Sequence, residues 1–404
     1  MKNNLWGTAF KKKPSSEVLA YCAGWDTKEF PALDSLLLPY ELEVNAAHAQ
    51  MLCEQGIISH HELAALKKAL AAASKLASKN AFPLDGFEDS HSAVEAFVTK
   101  RTPAGLKLHS GRSRNDLVAT STRLLLKAKA KAFAISLMQL AAALKSAAAK
   151  HAGVPMPGFS HHRIAMPFTW GKWLESYAVA FKRDAKSFEA FIALYDECPL
   201  GAAAGFGTSF PISSASTAKK LGFAKPFANS LDAVQQRWEA EAAFVFCLAK
   251  AMNHLSQLSE SLIVLSMDGL ELVHLPLEFC TGSSIMPHKK NPDFLEATKA
   301  KASIVAACLQ QLVDAGKSSF TGYNRDSQWT KKSLLHAFAE CEKAPALMAD
   351  FVGKAAPNVE KLASMCELAQ AGQAAEKLAL KHGLPFRSAK QAAEKKLGQA
   401  FGKQ

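Results

Sequence analysis

Phe244-Val245-Phe246-Cys247-Leu248-Ala249-Lys250-Ala251-Met252-Asn253-His254-Leu255-Ser256-Gln257-Leu258-Ser259-Glu260-Ser261-Leu262-Ile263-Val264-Leu265 is the stretch on which the fold turns. Phe244, Leu248, Ala251, Leu255, Leu258, Leu262 and Leu265 recur at alternating steps of four and three. A helix of 3.6 residues per turn gathers such positions into one apolar stripe, so the spacing predicts a long helix buried along one face. Phe133, Leu137, Leu140 and Leu144 repeat the rhythm in an Ala- and Lys-rich segment. Residues 62–79, rich in Ala, Leu and Lys, favour helix by propensity. Runs of alternating β-branched or aromatic residues are nearly absent, so little strand is expected. The fold class is all-α, a bundle of long helices.

Gly and Pro mark the breaks. Gly153-Val154-Pro155-Met156-Pro157-Gly158 separates two long helices, and Pro199-Leu200-Gly201 opens a Gly/Ala/Ser-rich loop running to about Ser214. A third loop spans Glu278 to Lys290 and ends in Asn291-Pro292-Asp293. That triplet predicts a helix start, with Asn at the N-cap, Pro in the first turn and an acid at the positive end. Loops held by rigid elements are where functional groups tend to sit.

Composition narrows the classes. With 404 residues, 49% hydrophobic and 21% charged, the chain is long enough for two or three domains with ample core. Lys and Arg outnumber Asp and Glu by 48 to 36, a net +12, but the charge is dispersed. Its densest run, Lys11-Lys12-Lys13, lies near a terminus and reads as a solvated tail, so nucleic-acid binding has only net charge behind it. Eight cysteines, at 22, 53, 198, 247, 280, 308, 341 and 366, include no C-x-x-C pair and read as reduced, mostly buried thiols. No export signal or uncharged apolar stretch of membrane-spanning length is evident, which makes a cytoplasmic location the default expectation. No H-E-x-x-H pattern occurs, and the adjacent pairs His60-His61 and His161-His162 do not easily face one ion. No Walker or G-x-G-x-x-G context is found. Neither a metal nor a nucleotide cofactor is expected, and no membrane partner.

The segment richest in chemistry is Thr281-Gly282-Ser283-Ser284-Ile285-Met286-Pro287-His288-Lys289-Lys290-Asn291-Pro292-Asp293. A Gly-Ser-Ser turn, two lysines, an amide and a helix N-terminus supply a hydroxyl, positive charge and backbone N–H groups. Together they suit a carboxylate.

This segment closely resembles the G-S-S-x-M-P-x-K-x-N signature of the fumarase/aspartase superfamily, in its argininosuccinate lyase/delta-crystallin version. The resemblance is colinear from about residue 5 to about Ser388. It is carried by Leu5-Trp6-Gly7, Glu88-Asp89-Ser90-His91 and His109-Ser110-Gly111-Arg112-Ser113-Arg114-Asn115-Asp116-Leu117-Val118-Ala119-Thr120. Further on come Met156-Pro157-Gly158-Phe159-Ser160-His161, Asn229-Ser230-Leu231-Asp232-Ala233-Val234 with Arg237, and Tyr323-Asn324-Arg325-Asp326-Ser327-Gln328 with Lys331.

The resemblance implies an elimination that splits a C–N bond and releases fumarate. Ser283 would be the base, its alkoxide stabilised by backbone N–H groups and Lys289. Lys289 and Asn291 would hold the carboxylate as charge builds on it. His161, paired with Glu296, would stand on the opposite face and donate a proton or organise the group that does. Ser113, Arg114 and Asn115 would orient the succinyl carboxylates, and Tyr323, Gln328, Lys331 and Arg237 the rest of the substrate. Ser160 and Asp89 complete the expected substrate-binding set. The resemblance also implies a homotetramer whose sites combine loops of three subunits. It suggests three domains: residues 1–110, a central long-helix bundle at 111–355, and a shortened C-terminal helical domain at 356–404.

Departures from the family pattern are local. Arg163 stands where a neutral amide is usual, Leu117 and His288 replace glutamines, and Phe30 falls where a serine is expected, with Asp34 as its acidic neighbour. Cleavage of argininosuccinate is the leading expectation. A lyase acting on another N-substituted aspartate is the second, and a lyase-like scaffold without activity the third.

Overall fold

A computed structural model describes residues 33–286, 288–317 and 319–401. Leu5, Trp6, Gly7, the Lys11 to Lys13 run, Cys22, Phe30 and Pro287 lie outside the described residues.

The elements in chain order are mostly helices. They are α1 (Asp34–Glu54), α2 (His60–Ala77), α3 (Ser90–Thr99), a 3-10 turn (Pro103–Lys107) and α4 (Arg114–Lys150). A hairpin of β1 (Pro155–Ser160) and β2 (Arg163–Thr169) leads to α5 (Trp170–Leu194), β3 (Glu197–Cys198), α6 (Ser214–Lys220) and β4 (Lys225–Pro226). Then follow α7 (Ser230–Gln235), α8 (Arg237–Ser266), β5 (Val273–His274) and α9 (Asp293–Gly316). The chain ends with α10 (Thr330–Cys341), α11 (Ala344–Lys354), β6 (Ala356–Pro357), α12 (Val359–His382) and α13 (Phe386–Phe401). The protein is a helical bundle, as the periodicity requires.

All seven stripe positions of α8, Phe244 to Leu265, are at most 5% exposed, and Phe133, Leu137, Leu140 and Leu144 of α4 at most 2%. Each such Leu or Phe side chain contributes about 1.5–3 kcal/mol of burial, which outweighs the small propensity differences along the helix. By length and hydropathy alone α4 carries an apolar stretch that could cross a membrane; its Phe133–Leu144 stripe is buried in protein. The described cysteines are free thiols, with Cys198, Cys247, Cys308, Cys341 and Cys366 buried.

The chain divides into two compact units. The first comprises Met1–Phe133, Ser187–Ala249 and Ile304–Glu340. Here α1, α2 and α3 pack together over Leu38, Leu42, Leu52, Leu66, Leu70, Val94 and Val98. The Ser59 hydroxyl and Glu62 form a reciprocal cap that starts α2. Val44 and Leu117 join Leu200, Leu221 and Phe223 in a second cluster, which seats the 199–213 loop against α1 and α4.

The second unit comprises Ala134–Lys186, Lys250–Ser303 and Cys341–Gln404. Its hairpin is a departure from the expected loop. β1 and β2 pair antiparallel, with Pro157 opposite Pro167 and Ser160 opposite Arg163. Proline lacks an N–H, but a two-stranded ribbon has free edges that tolerate it. The hairpin lies on α12, where a Cβ on Gly372 would come within 2.5 Å of the Ala165 carbonyl oxygen. Only glycine permits that approach.

Candidate active site

The expected substrate-binding residues of the first unit converge. A cavity of about 390 Å³ is lined by Asp89, His91, Glu95, His109, Ser113, Arg114, Asn115, Val118, Arg237, Tyr323, Arg325, Gln328 and Lys331. Its wall is built from two helix starts. Asp89 caps α3: its Oδ1 accepts from Ser92 N at 2.8 Å, and Ser92 Oγ accepts from Asp89 N at 3.2 Å. Ser113 opens α4, its Oγ accepting from Asn115 N at 3.2 Å.

Ion pairs tie these starts together. Arg114 Nη1 lies 2.7 Å from Asp89 Oδ2 and 3.1 Å from Glu88 Oε1, and Arg325 also reaches Glu88, at 3.3 Å. Burial is the largest influence on Asp89 and would raise its pKa; the Arg114 guanidinium, together with smaller contributions that include the Ser92 N–H bond, offsets it and holds the carboxyl below its usual range. Lys331 Nζ donates to Asp34 Oδ1 at 2.6 Å, and Ser90 N donates to Asp34 Oδ2 at 2.8 Å. Two cations expected on the substrate thus already hold carboxylates of the chain. Arg237 is different: it is 5% exposed, its guanidinium lies 5.5 Å from the centre of the Tyr323 ring, and the buried Glu241 carboxyl, four residues on, feels its charge. Its Nε has no hydrogen-bond partner.

Asp116 fastens the neighbouring loop. Its carboxylate accepts from Ser113 N at 2.9 Å, Gly201 N at 3.0 Å and Ala203 N at 2.8 Å. Burial nevertheless pushes its pKa up to about 6. Gly201 adopts φ +112° and sits where a Cβ would meet Ser214 Oγ at 2.1 Å, so this turn demands glycine.

Next to the cavity lies a group of buried polar residues that the sequence reading did not assemble. His91, Glu95 and His109 face one another, with Glu41 and Arg112 beside them. Burial, then the Arg112 cation, pushes His91 and His109 well below the usual imidazole range, so both rings are neutral. Burial pushes Glu41 up to about 8. The available signal was His-x-x-x-Glu, which sets two ligating side chains on one helical face.

In the second unit the signature loop is exposed and held mainly by its own backbone. Thr281 and Asn291 exchange N–H···O bonds of 3.0 and 2.8 Å, closing the loop at its base. Asn291 Nδ2 donates to Gly282 O at 3.2 Å, and the Thr281 hydroxyl donates to Asp293. With Asn291 so engaged, α9 begins at Asp293 and Pro292 O accepts the first helical bonds; the expected Asn291 cap is not formed. Ser283 Oγ accepts from Ile285 N at 3.3 Å and Met286 N at 3.1 Å. His288, Lys289 and Glu296 are exposed.

Ser160, His161, His162 and Arg163 are likewise exposed, at the tip of the hairpin. His161 and His162 take φ +52° and +57°, a left-handed turn made without glycine. Within the chain His161 makes no ion pair with Glu296.

Comparison with known proteins adds an independent line. The sequence model of a family described as lyase matches residues 32–307. The argininosuccinate lyase of Polynucleobacter necessarius subsp. necessarius is 38% identical over 402 residues, covering 97% of this chain and 82% of its own. That of Halorhodospira halophila is 36% identical, over 88% of this chain and 77% of its own. Among solved structures, a variant of EDDS lyase with bound fumarate superposes with TM-score 0.81 at 26% identity, covering 92% of this chain and 73% of that one. Class II fumarase from Schistosoma mansoni gives TM-score 0.76 at 19% identity, over 91% and 89% of the two chains, and shares the fold.

Proposed function

The chain belongs to the lyase family, a carbon–nitrogen lyase by its curated relatives, and from that premise we propose that it cleaves argininosuccinate to arginine and fumarate. The observation that carries the reading is the pair of backbone N–H groups on Ser283 Oγ. Hydrogen bonds to the charged form of a hydroxyl favour its ionisation, so the turn makes an otherwise poor base usable.

Ser283 takes the proton on the carbon beside one succinyl carboxylate, leaving an aci-carboxylate carbanion. Lys289 and Asn291 offer an ammonium and an amide to the charge that builds there. The C–N bond then breaks, and the departing guanidino nitrogen takes a proton from the opposite face, from His161 or a group it organises with Glu296. Ser113, Asn115 and Arg237 bind the succinyl and amino-acid ends together with Ser160, Tyr323 and Gln328. Arg114 and Lys331 add to this as ion pairs with Asp89 and Asp34, so they shape the pocket as well as its charge.

We place the three segments of one site on three copies of the chain in a homotetramer. Ile135, Met138 and Val179 stand on long helices at 46–60% exposed, which favours burial in an assembly. Mixing two inactive variants, one altered at Ser283 and one at Asn115, then restores part of the activity; none regained in verified mixed tetramers removes the sharing.

A second reading, a lyase for another N-substituted aspartate, rests on Arg163. This exposed cation stands directly after the His161-His162 turn. Fumarate release is followed in the ultraviolet with argininosuccinate, adenylosuccinate and aspartate in parallel. Release from argininosuccinate alone supports the first reading. Release from another substrate supports the second, and release from none by folded tetramer refutes both.

A further inference from the structure

His91 and Glu95 stand four residues apart on α3, so one helical turn carries both on the same face. His109 arrives from the segment after the 3-10 turn, its ring centre 5.3 Å from that of His91. One donor atom from each of the three lies within 4.8 Å of the others, and all three line the cavity. His91 is 2% exposed, yet neither ring nitrogen has a hydrogen-bond partner, and Glu95 Oε2 and His109 Nδ1 are buried without one. His91 Nε2 and Glu95 Oε2 are 3.6 Å apart. That is too long for a hydrogen bond. It is close to the ~3.4 Å between two donors on a tetrahedral ion with bonds of about 2.1 Å.

We propose that His91, Glu95 and His109 bind a divalent transition-metal ion on the wall of this cavity. Two imidazoles and one carboxylate suit Zn²⁺ or Co²⁺, whereas Mg²⁺ and Ca²⁺ prefer an all-oxygen shell. Glu41 supplies the support such a site needs. Its Oε1 lies 3.8 Å from His91 Nδ1. A carboxyl oxygen behind one ring nitrogen orients the other toward the ion.

Arg112 opposes a cation here, but the Asp89 and Glu95 carboxylates stand against the Arg112 and Arg114 guanidiniums. The donors close on the ion by rotation of Glu95, whose side chain is 28% exposed. Three protein ligands leave at least one position open to the cavity for water or for a donor atom of a bound molecule. The site stands on its own geometry and holds whichever substrate the enzyme takes.

The test uses the full chain, freed of metal with chelator and titrated with Zn²⁺ by calorimetry and with Co²⁺ by visible absorption. One ion per chain is expected, with a tetrahedral Co²⁺ band that lacks thiolate charge transfer, which separates this site from the cysteines. Glu95→Gln weakens binding at least tenfold, and Glu41→Leu about tenfold through loss of the supporting oxygen. His91→Asn/His109→Asn abolishes binding. Should that double variant not fold, Glu95→Gln, on a partly exposed position, decides. No saturable binding, thiolate bands only, or affinity unchanged in folded Glu95→Gln overturns the proposal.

Discussion

The wall around Asp89 and the loop around Ser283 are equally rich in polar groups, yet they are held in opposite ways. Asp34, Asp89 and Lys331 are at most 5% exposed and joined through charged side chains from distant parts of the chain. The Thr281 to Asn291 loop is closed by backbone bonds between near neighbours, with most of its described side chains in solvent. A wall of paired charges is fixed before anything binds. A loop pinned only at its base can change shape around a ligand. The two regions should therefore fail differently when altered, one in stability and the other in turnover.

Ser283→Ala carries the largest expected effect. Turnover falls about a thousandfold, ~4 kcal/mol of barrier, within the range for loss of a general base. The melting temperature stays within about 1 °C, because a half-buried loop hydroxyl contributes little to the core. Fumarate release and calorimetric melting check the two halves. A large loss of stability would make the loop as structural as the wall, and the contrast would disappear.

Lys331→Met inverts that pattern. Removing one partner of a buried pair leaves an uncompensated charge and costs about 3 kcal/mol. The low end of the range applies because Asp34 keeps its bond from Ser90 N. Denaturant unfolding measures it, and the double variant Asp34→Leu/Lys331→Met should recover much of the loss. A single variant as stable as the parent would mean the wall is not held by this pair.

Asp116→Asn tests how far the wall's rigidity extends. Asparagine keeps one acceptor oxygen but turns an NH₂ toward backbone donors that the carboxylate now satisfies. A loss of about 2 kcal/mol is expected. Hydrogen exchange should speed at the amides of Gly201 and Ala203. Unchanged exchange would show that the loop is held by Leu200 and its apolar neighbours instead.

How much of this was legible in the sequence follows the range of each interaction. The stripes on α4 and α8 were readable because their rhythm is local, and every position named is buried. The cavity residues were readable through contiguous motifs at 88–91, 109–120 and 323–331. The pairing of Lys331 with Asp34 spans 297 positions and left no local trace. Nor did the meeting of His91 and Glu95 with His109, which depends on how the 3-10 turn redirects the chain. The hairpin was missed because Pro155, Pro157, Gly158 and Pro167 read as breaks, and its turn lacks the Asn-Gly or Gly-Gly that usually marks one.

That turn supplies the smallest effect and joins the two halves of the comparison. His161 and His162 both sit at positive φ between the paired Ser160 and Arg163, the geometry of a two-residue turn that favours Asn and Gly. A non-glycine residue in the left-handed region costs about 1 kcal/mol, and such strain persists where something else requires the side chain. His162→Gly should therefore raise stability by about 1 kcal/mol, offset in part by the entropy glycine adds to the unfolded chain. Activity should hold. His161→Gly relieves comparable strain but removes the proposed proton donor, so stability rises while turnover collapses. Activity lost equally in both variants would assign the requirement to the shape of the turn and not to the His161 imidazole.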